Sequence, residues 1–207
     1  MTILPNGRAT GLARDLARHL KTRERQPMID PDAVCCAVLI PLLPIAPAAN
    51  GSVIEDYDVV YTLRSEDLPS HKGQVAFPGG KRSGDEELLQ TALRESSEEI
   101  GIVPSDVEVI GCLDDVSTMA GQFVITPWVG LLPPGYRFKA NPFEVADIFT
   151  VRLSELANPR HHAQTTRQWN GNTYDISIIT AGRHEIWGAT HQITTNFLDL
   201  IKEIRRE

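Results

Sequence analysis

"GGKRSGDEELLQTALRESSEEIGI", residues Gly79 to Ile102, sets three carboxylates, Glu95, Glu98 and Glu99, within one turn of a segment that reads as a helix. Like charges at that spacing repel by roughly 0.2–0.5 kcal/mol per pair. The hydrophobic spacing predicts a helix from about Asp85 to Ile100. Ser83 or Asp85 can cap its start, Glu86 and Glu87 suit the positive end of its dipole, and Gly101 can end it in the left-handed conformation. At about 100° per residue, Leu89, Leu93, Ser96 and Ile100 gather on one face, with the three glutamates on another roughly 140° away. The apolar face is expected to dock on a sheet while the acidic face looks into a cleft.

The plainest reading of such an acidic stripe is a solvated helix face, laced by lysine or arginine at four-residue spacing. Those partners are missing here: Thr91 precedes the cluster, Ile102 and Val103 follow it, and Arg94 alone sits beside it. A hard divalent cation such as Mg²⁺ takes oxygen ligands and keeps waters and substrate phosphates in its shell, so clustered carboxylates beside a glycine loop suit it. Metal binding would offset the repulsion.

The chain of 207 residues is expected to form a single domain, with a helix and linker over 1–30 and a closing helix over 187–207. Its hydrophobic fraction of 42% and charged fraction of 23% are ordinary globular values. The longest apolar run, "AVCCAVLIPLLPIAPAA", is broken by Pro41, Pro44 and Pro47, which makes it a buried strand entering a loop and not a membrane span. A net charge of −7 argues against nucleic acid as a partner, although a small anion carried by a metal remains compatible with it. Cys35 and Cys36 alternate across a strand and Cys112 stands alone, so no disulfide or zinc framework follows. Without an uninterrupted apolar leader or a terminal targeting tripeptide, cytoplasm is the expected location.

Around the acidic segment, "ATGLARDLARHLKTRER" spaces Leu12, Leu16 and Leu20 as in an amphipathic helix. "AVCCAVLIPLL" and "DVVYTLRS" read as two strands joined by the loop "APAANGS". "VEVIGCLDDVST" and "QFVITPWVGLL" add strands around "MAG", "EVADIFTVRL" another, and "GNTYDISII" an edge strand. "TTNFLDLIKEIRR" closes the chain as a helix. Without regular alternation of strand and helix, a mixed sheet with helices on both faces is the economical arrangement.

Gly80, Glu86, Arg94, Glu95, Glu98, Glu99 and Gly101 together resemble the Nudix box, the signature over 80–102 of hydrolases that cleave nucleoside diphosphates linked to another group. Ser96 departs from it, filling a slot that is usually hydrophobic. The resemblance implies the Nudix fold: an α/β/α sandwich with a curved mixed β-sheet and a loop-helix-loop catalytic motif. It further implies Glu95 and Glu99 as principal ligands of Mg²⁺ or Mn²⁺, Glu98 as an additional ligand or water-orienting group, and the Gly80 carbonyl as a further ligand. Arg94 would hold the glutamates in place by ion pairing. Glu86 would brace the loop, which agrees with its position about 180° from Glu95 on an ideal helix.

Upstream, "TLRSEDLPSHKGQVAFPGG" places Thr62, Arg64, Ser65, Gly73, Phe77, Pro78, Gly79 and Gly80 in a pattern similar to the coenzyme A pyrophosphatase branch of that family. The resemblance implies Mg²⁺-dependent cleavage of the diphosphate of coenzyme A or its derivatives. Arg64, Ser65, His71, Lys72, Lys81 and Arg82 are the expected substrate-binding residues, since cations concentrated before an acidic helix would meet phosphates from both sides. Pro69 stands where that branch usually has arginine, removing one donor. Looser similarity extends over about 33 to 195. Glu144 in "NPFEVAD" is the candidate general base, with extra metal ligand or plain loop carboxylate as alternatives. Asp114 and Asp115 are expected to be loop or turn carboxylates, with substrate-side ligands as the alternative, Trp187 and Gly188 a helix start, and His161 and His162 exposed loop residues. The alternatives are a Nudix hydrolase of a nucleotide sugar or nucleoside triphosphate, and a Nudix-fold sensor without catalysis. The expected partner is a small nucleotide, with no nucleic acid or membrane, and a homodimer is left open.

Overall fold

The computed structural model describes residues 11–45, 57–118, 123–169 and 171–206. The loops at 46–52 and 119–121 lie outside them. Strand β1 (Val34–Pro44) is the spine, and the middle of its apolar run is covered on both faces. It runs parallel to β7 (Phe123–Leu131), from Val34 beside Phe123 to Leu42 beside Leu131. On its other edge it pairs antiparallel with β2 (Tyr57–Arg64) near its end and with the short β4 (Gly79–Lys81) near its start. β2 pairs with β3 (Val75–Ala76) and β8 (Val145–Arg152), while β5 (Glu108–Cys112) and β6 (Val116–Ser117) add to β7. The result is a mixed eight-stranded sheet.

Strand alternation divides the core into two layers. Leu39 and Val60 face Ile100 and Ile102, at and just beyond the end of helix α2 (Leu88–Ile100). Ile40, Leu42, Val59 and Tyr61 face the opposite way, onto Leu12 and Leu16 of α1 (Gly11–Thr22) and Ile193, Phe197 and Ile201 of α4 (Gly188–Ile204). The fully buried Tyr61 shares a hydrogen bond of 3.0 Å with Thr194, which satisfies its hydroxyl inside that layer. The α/β sandwich of a mixed sheet between helices, expected from the sequence, is therefore present.

Three expectations need correction. Helix α2 begins at Leu88 and not at Asp85, because Gln90 Oε1 accepts the Glu87 backbone N–H and Glu86 Oε1 accepts that of Ser83, which holds Ser83–Glu86 as a turn. Its other end is as expected: Gly101 has φ 70° and donates its N–H to the Ser97 carbonyl. "GNTYDISII" is no edge strand, since β10 (Asn172–Ala181) lies between β9 (His162–Trp169) and β11 (His184–Ile186) in a separate three-stranded sheet. β9 is polar over most of its length, so it lacks the period-two apolar signal that would reveal it. His162 is half-buried at the start of β9, its Nε2 2.7 Å from the Leu156 carbonyl of the short helix α3 (Leu153–Leu156), and is not a free loop residue.

Candidate active site

The site begins with two residues that lack side chains. A Cβ on Gly80 would stand 2.5 Å from the Glu95 carboxylate, and one on Gly79, at φ +150°, would stand 2.4 Å from the Ala37 carbonyl. The bare strand β4 thus lets α2 lie close, with two of its carboxylates against backbone. Glu99 Oε2 accepts the Gly79 N–H at 3.0 Å, and Arg64 Nη1 at the end of β2 lies 3.9 Å from Glu99 Oε1. Glu99 is only 4% exposed, so the acidic stripe does not look outward as a whole. The stripe fans out: Glu99 is buried, Glu95 half-buried and Glu98 exposed.

Burial pushes the Glu99 carboxyl up to about 7, against the lowering influence of the Gly79 N–H and Arg64, and the charges of Glu144 and Glu95 add to the rise. Glu95 is raised in the same direction, chiefly by burial, with Arg94 opposing and Glu98 and Glu144 reinforcing. In both groups burial disfavours the charged form, and nearby donors only partly offset it.

Arg94 is the hub of the cluster. Its guanidinium donates to both oxygens of Glu86 at 2.7 and 3.1 Å, to Glu95 at 2.8 Å, to Glu98 at 3.3 Å and to the Lys81 carbonyl at 3.2 Å. Glu86 also accepts the Ser83 N–H and the Thr91 hydroxyl, and the Arg94 hydrogen bond leads in holding its carboxyl down at about 2. Glu86 thus ties the glycine turn to the helix, at a distance from the Glu99 end.

Glu144 enters from the turn before β8. The Asn141 side chain donates to Glu144 Oε1 at 3.1 Å, the Glu144 carbonyl accepts the Ser65 N–H at 2.9 Å, and the Asn141 N–H caps the Glu99 carbonyl at 2.8 Å. Asn141 is a site residue that sequence reasoning missed. Its signal is an Asn-Pro pair three residues before a glutamate, which initiates a turn.

The cationic string does not act as a unit. Arg64 alone among its members points at an acidic-face carboxylate, and its buried Nε has no hydrogen-bond partner among the described residues. Ser65 is 5% exposed and its hydroxyl accepts the Asp67 N–H, so it closes a turn and presents no surface to a substrate. Alternation along β4 turns Gly80 toward α2 and Lys81 away, with the Lys81 ammonium 5.4 Å from the ring centre of Phe123. Arg82 is exposed beyond it, its N–H bonded to the Cys35 carbonyl. His71, at φ 56°, hydrogen-bonds Gln74, and Lys72 lines a cleft shared with Leu63. Leu63 packs into the α1 and α4 layer, so that cleft opens on the sheet face opposite Glu99.

Asp114 and Asp115 are turn carboxylates, as expected, but they are also anchors. Asp114 accepts from Arg23 and the Gln26 N–H, and Asp115 from Arg25, Thr126 and the Met28 N–H.

A NUDIX domain covers residues 46–170, which include the bare strand, α2 and Glu144. The chain belongs to the Nudix family. Nudix hydrolase NudL of Photorhabdus laumondii is 41% identical over 138 residues, spanning 65% of this chain and 72% of that protein. NudL of Citrobacter koseri is 39% identical over 156 residues, 74% of this chain and 76% of its own. Among solved structures, a MutT/nudix family protein from Enterococcus faecalis superposes with a TM-score of 0.55 at 15% identity, over 94% of this chain and 71% of that one. That likeness concerns the fold alone. The Nudix fold expected from the resemblance is thereby established, and the chain is a Nudix hydrolase.

Nudix hydrolases use divalent metal ions, and the donor set here suits a hard cation: carboxylate oxygens, one of them raised to about 7 by burial that positive charge would relieve. Among the described residues no three acidic, thiol or imidazole side chains converge into a ready-made cage. Arg94 holds Glu95 and Glu98, and Gly79 holds Glu99.

Proposed function

We propose that this Nudix hydrolase cleaves the diphosphate of coenzyme A or a derivative, giving 3′,5′-adenosine bisphosphate and 4′-phosphopantetheine, or its acylated form. The supporting observation is Arg64. It belongs to the upstream string that resembles the coenzyme A branch, and it brings a guanidinium with an unpartnered Nε to within 3.9 Å of the most buried carboxylate. A fork of that kind suits a phosphate oxygen.

Glu95, Glu99, Glu98 and the Gly80 carbonyl are the groups assigned to hold Mg²⁺ or Mn²⁺. Such a cation supplies neutralisation of the charge that develops on the diphosphate and lowers the pKa of water. Arg94 keeps Glu95 and Glu98 in register through one oxygen of each, which leaves the second oxygen of each for a cation. Glu144 is assigned the proton of the attacking water, with Asn141 fixing one of its oxygens so that the other is free to accept. Water attacks one phosphorus, the bond from that phosphorus to the bridging oxygen breaks, and the leaving phosphate carries the electron pair away. No covalent enzyme intermediate is needed.

Pro69 in place of arginine removes a charge-assisted hydrogen bond worth roughly 1.5–3 kcal/mol, or about ten- to over a hundredfold in affinity. A weak Michaelis constant for coenzyme A is therefore expected, with a preference over dephospho-coenzyme A that shrinks in Arg64→Ala. The test is a substrate panel with Mg²⁺ or Mn²⁺, scored by product identity. If coenzyme A is untouched while ADP-ribose or a nucleoside triphosphate is hydrolysed efficiently, a nucleotide sugar or triphosphate substrate replaces this assignment. Glu144→Gln should slow turnover strongly with little change in metal dependence; rescue at high metal would instead make it a ligand.

A further inference from the structure

Across the sheet from Glu99 lies a cleft of about 600 Å³, within the size range of small-molecule sites. Its apolar lining is Leu63, Val75 and the indole of Trp187; its charged lining is Lys72, Arg167 and Arg183 with one carboxylate, Glu185. Three cations around an apolar patch stand out in a chain with a net charge of −7.

The two arginines have neighbours that do not use up their donors. Arg183 donates to Asp147 at 2.7 Å and to His184 Nε2 at 3.3 Å, and the His184 ring is stacked on Phe149 with centroids 4.0 Å apart. Arg167 is ion-paired with Glu185 and sits 5.5 Å from the Trp187 ring centre. Each guanidinium has five N–H donors and spends only one or two on these partners. Lys72 has no carboxylate partner among the described residues. Guanidinium forks with donors to spare, an ammonium and an aromatic wall suit an organic anion that carries a dianionic tetrahedral group.

We propose that this cleft binds a phosphomonoester carried on an apolar or aromatic body, at a site on the opposite face of the sheet from the acidic centre. The proposal does not depend on the coenzyme A assignment. The phosphomonoester has two potential sources, one end of the substrate or a separate effector, and both present the same chemistry to Lys72, Arg167 and Arg183.

The test uses the full chain in chelator, so that the acidic centre holds no metal, with phenyl phosphate as the probe. The readout is the indole N–H resonance of Trp187, assigned by its loss in Trp187→Phe. A saturable shift is expected, weakened at least about tenfold in Lys72→Gln and in Arg183→Gln and left in place by Glu95→Gln, with phenol binding far more weakly. Lys72 and Arg183 are exposed, so both variants should fold, and equal melting temperatures would verify it. Absence of a saturable shift, a shift undiminished in the double variant, or phenol matching phenyl phosphate would overturn the proposal. Steady-state kinetics then separates the sources. Competitive inhibition that Arg183→Gln removes identifies one end of the substrate, and an altered kcat at unchanged KM identifies an effector; either result upholds the cleft as a phosphomonoester site.

Discussion

Glu99 is the carboxylate whose surroundings conflict most: a buried acid with one backbone donor, one distant guanidinium and two acidic neighbours. Its carboxyl rises from the ordinary 4.5 to about 7, so the folded protein binds this proton more tightly than the unfolded chain does. The associated stability is fully present below the unfolded value and is lost as pH rises through about 7. Metal-free protein should therefore melt at a lower temperature at pH 8 than at pH 6 as far as this group is concerned. Glu99→Gln keeps an acceptor for the Gly79 N–H and removes the buried charge. It is expected to flatten that pH dependence, to melt no lower than the parent at pH 8 in chelator, and to lose at least about a hundredfold in turnover at saturating Mg²⁺. Melting curves at the two pH values and initial rates check both halves, and near-parental turnover would remove Glu99 from the metal site.

At the scale of the element, strand β4 and helix α2 form one device, and its two glycines act differently. In Gly80→Ala the new methyl meets first the movable end of Glu95, so turnover should fall while the melting temperature hardly changes. In Gly79→Ala it meets the Ala37 carbonyl and the Val38 backbone at a φ of +150°, so β4 must leave β1 and the protein should be destabilised by about 2 kcal/mol or more. A thermal melt and a rate for each variant separate the two outcomes. Arg94→Ala cuts the ties from the helix to Glu86 and to the Lys81 carbonyl, at a cost of about 1–2 kcal/mol given its partial exposure. Most of this device was legible in the chain, because Gly80, Glu86, Arg94 and the glutamates sit at fixed spacings along one segment. What the helical projection could not show was which glutamate is buried. That depends on the bareness of Gly79 and Gly80 opposite the helix and on Arg64 and Asn141, which arrive from distant parts of the chain. The polar strand β9 was illegible for a related reason: few apolar side chains mark it with a period, whereas β10, with Ile176, Ile178 and Ile179 buried, was legible as a strand and only its place in the sheet was not.

At the scale of the whole molecule, the acidic centre lies on the α2 side of the sheet, while α1 and α4 fill the other side. The segment after α1 is pinned down by Asp114 and Asp115, whose oxygens are occupied by Arg23, Arg25, Thr126 and the backbone of Gln26 and Met28. Asp115 is the stronger pin: its side chain is 5% exposed and accepts from a guanidinium, a hydroxyl and a backbone N–H. Removing it leaves Arg25 and Thr126 facing a void, whereas no bond of Asp115 reaches Glu95, Glu99 or Glu144. Full loss of a buried ion pair costs about 3–5 kcal/mol, but Arg25 is one-third exposed and can turn to water, so about 1–3 kcal/mol is expected for Asp115→Ala. Stability and catalysis should thus separate across the molecule: Asp115→Ala should melt earlier in both chelator and Mg²⁺, with kcat retained below the melting transition, whereas Glu99→Gln should lose kcat and melt no lower than the parent at pH 8 in chelator. Denaturant unfolding and initial rates on the two variants provide the check. A loss of kcat in folded Asp115→Ala comparable with that in Glu99→Gln would mean that the segment after α1 contributes to the active site.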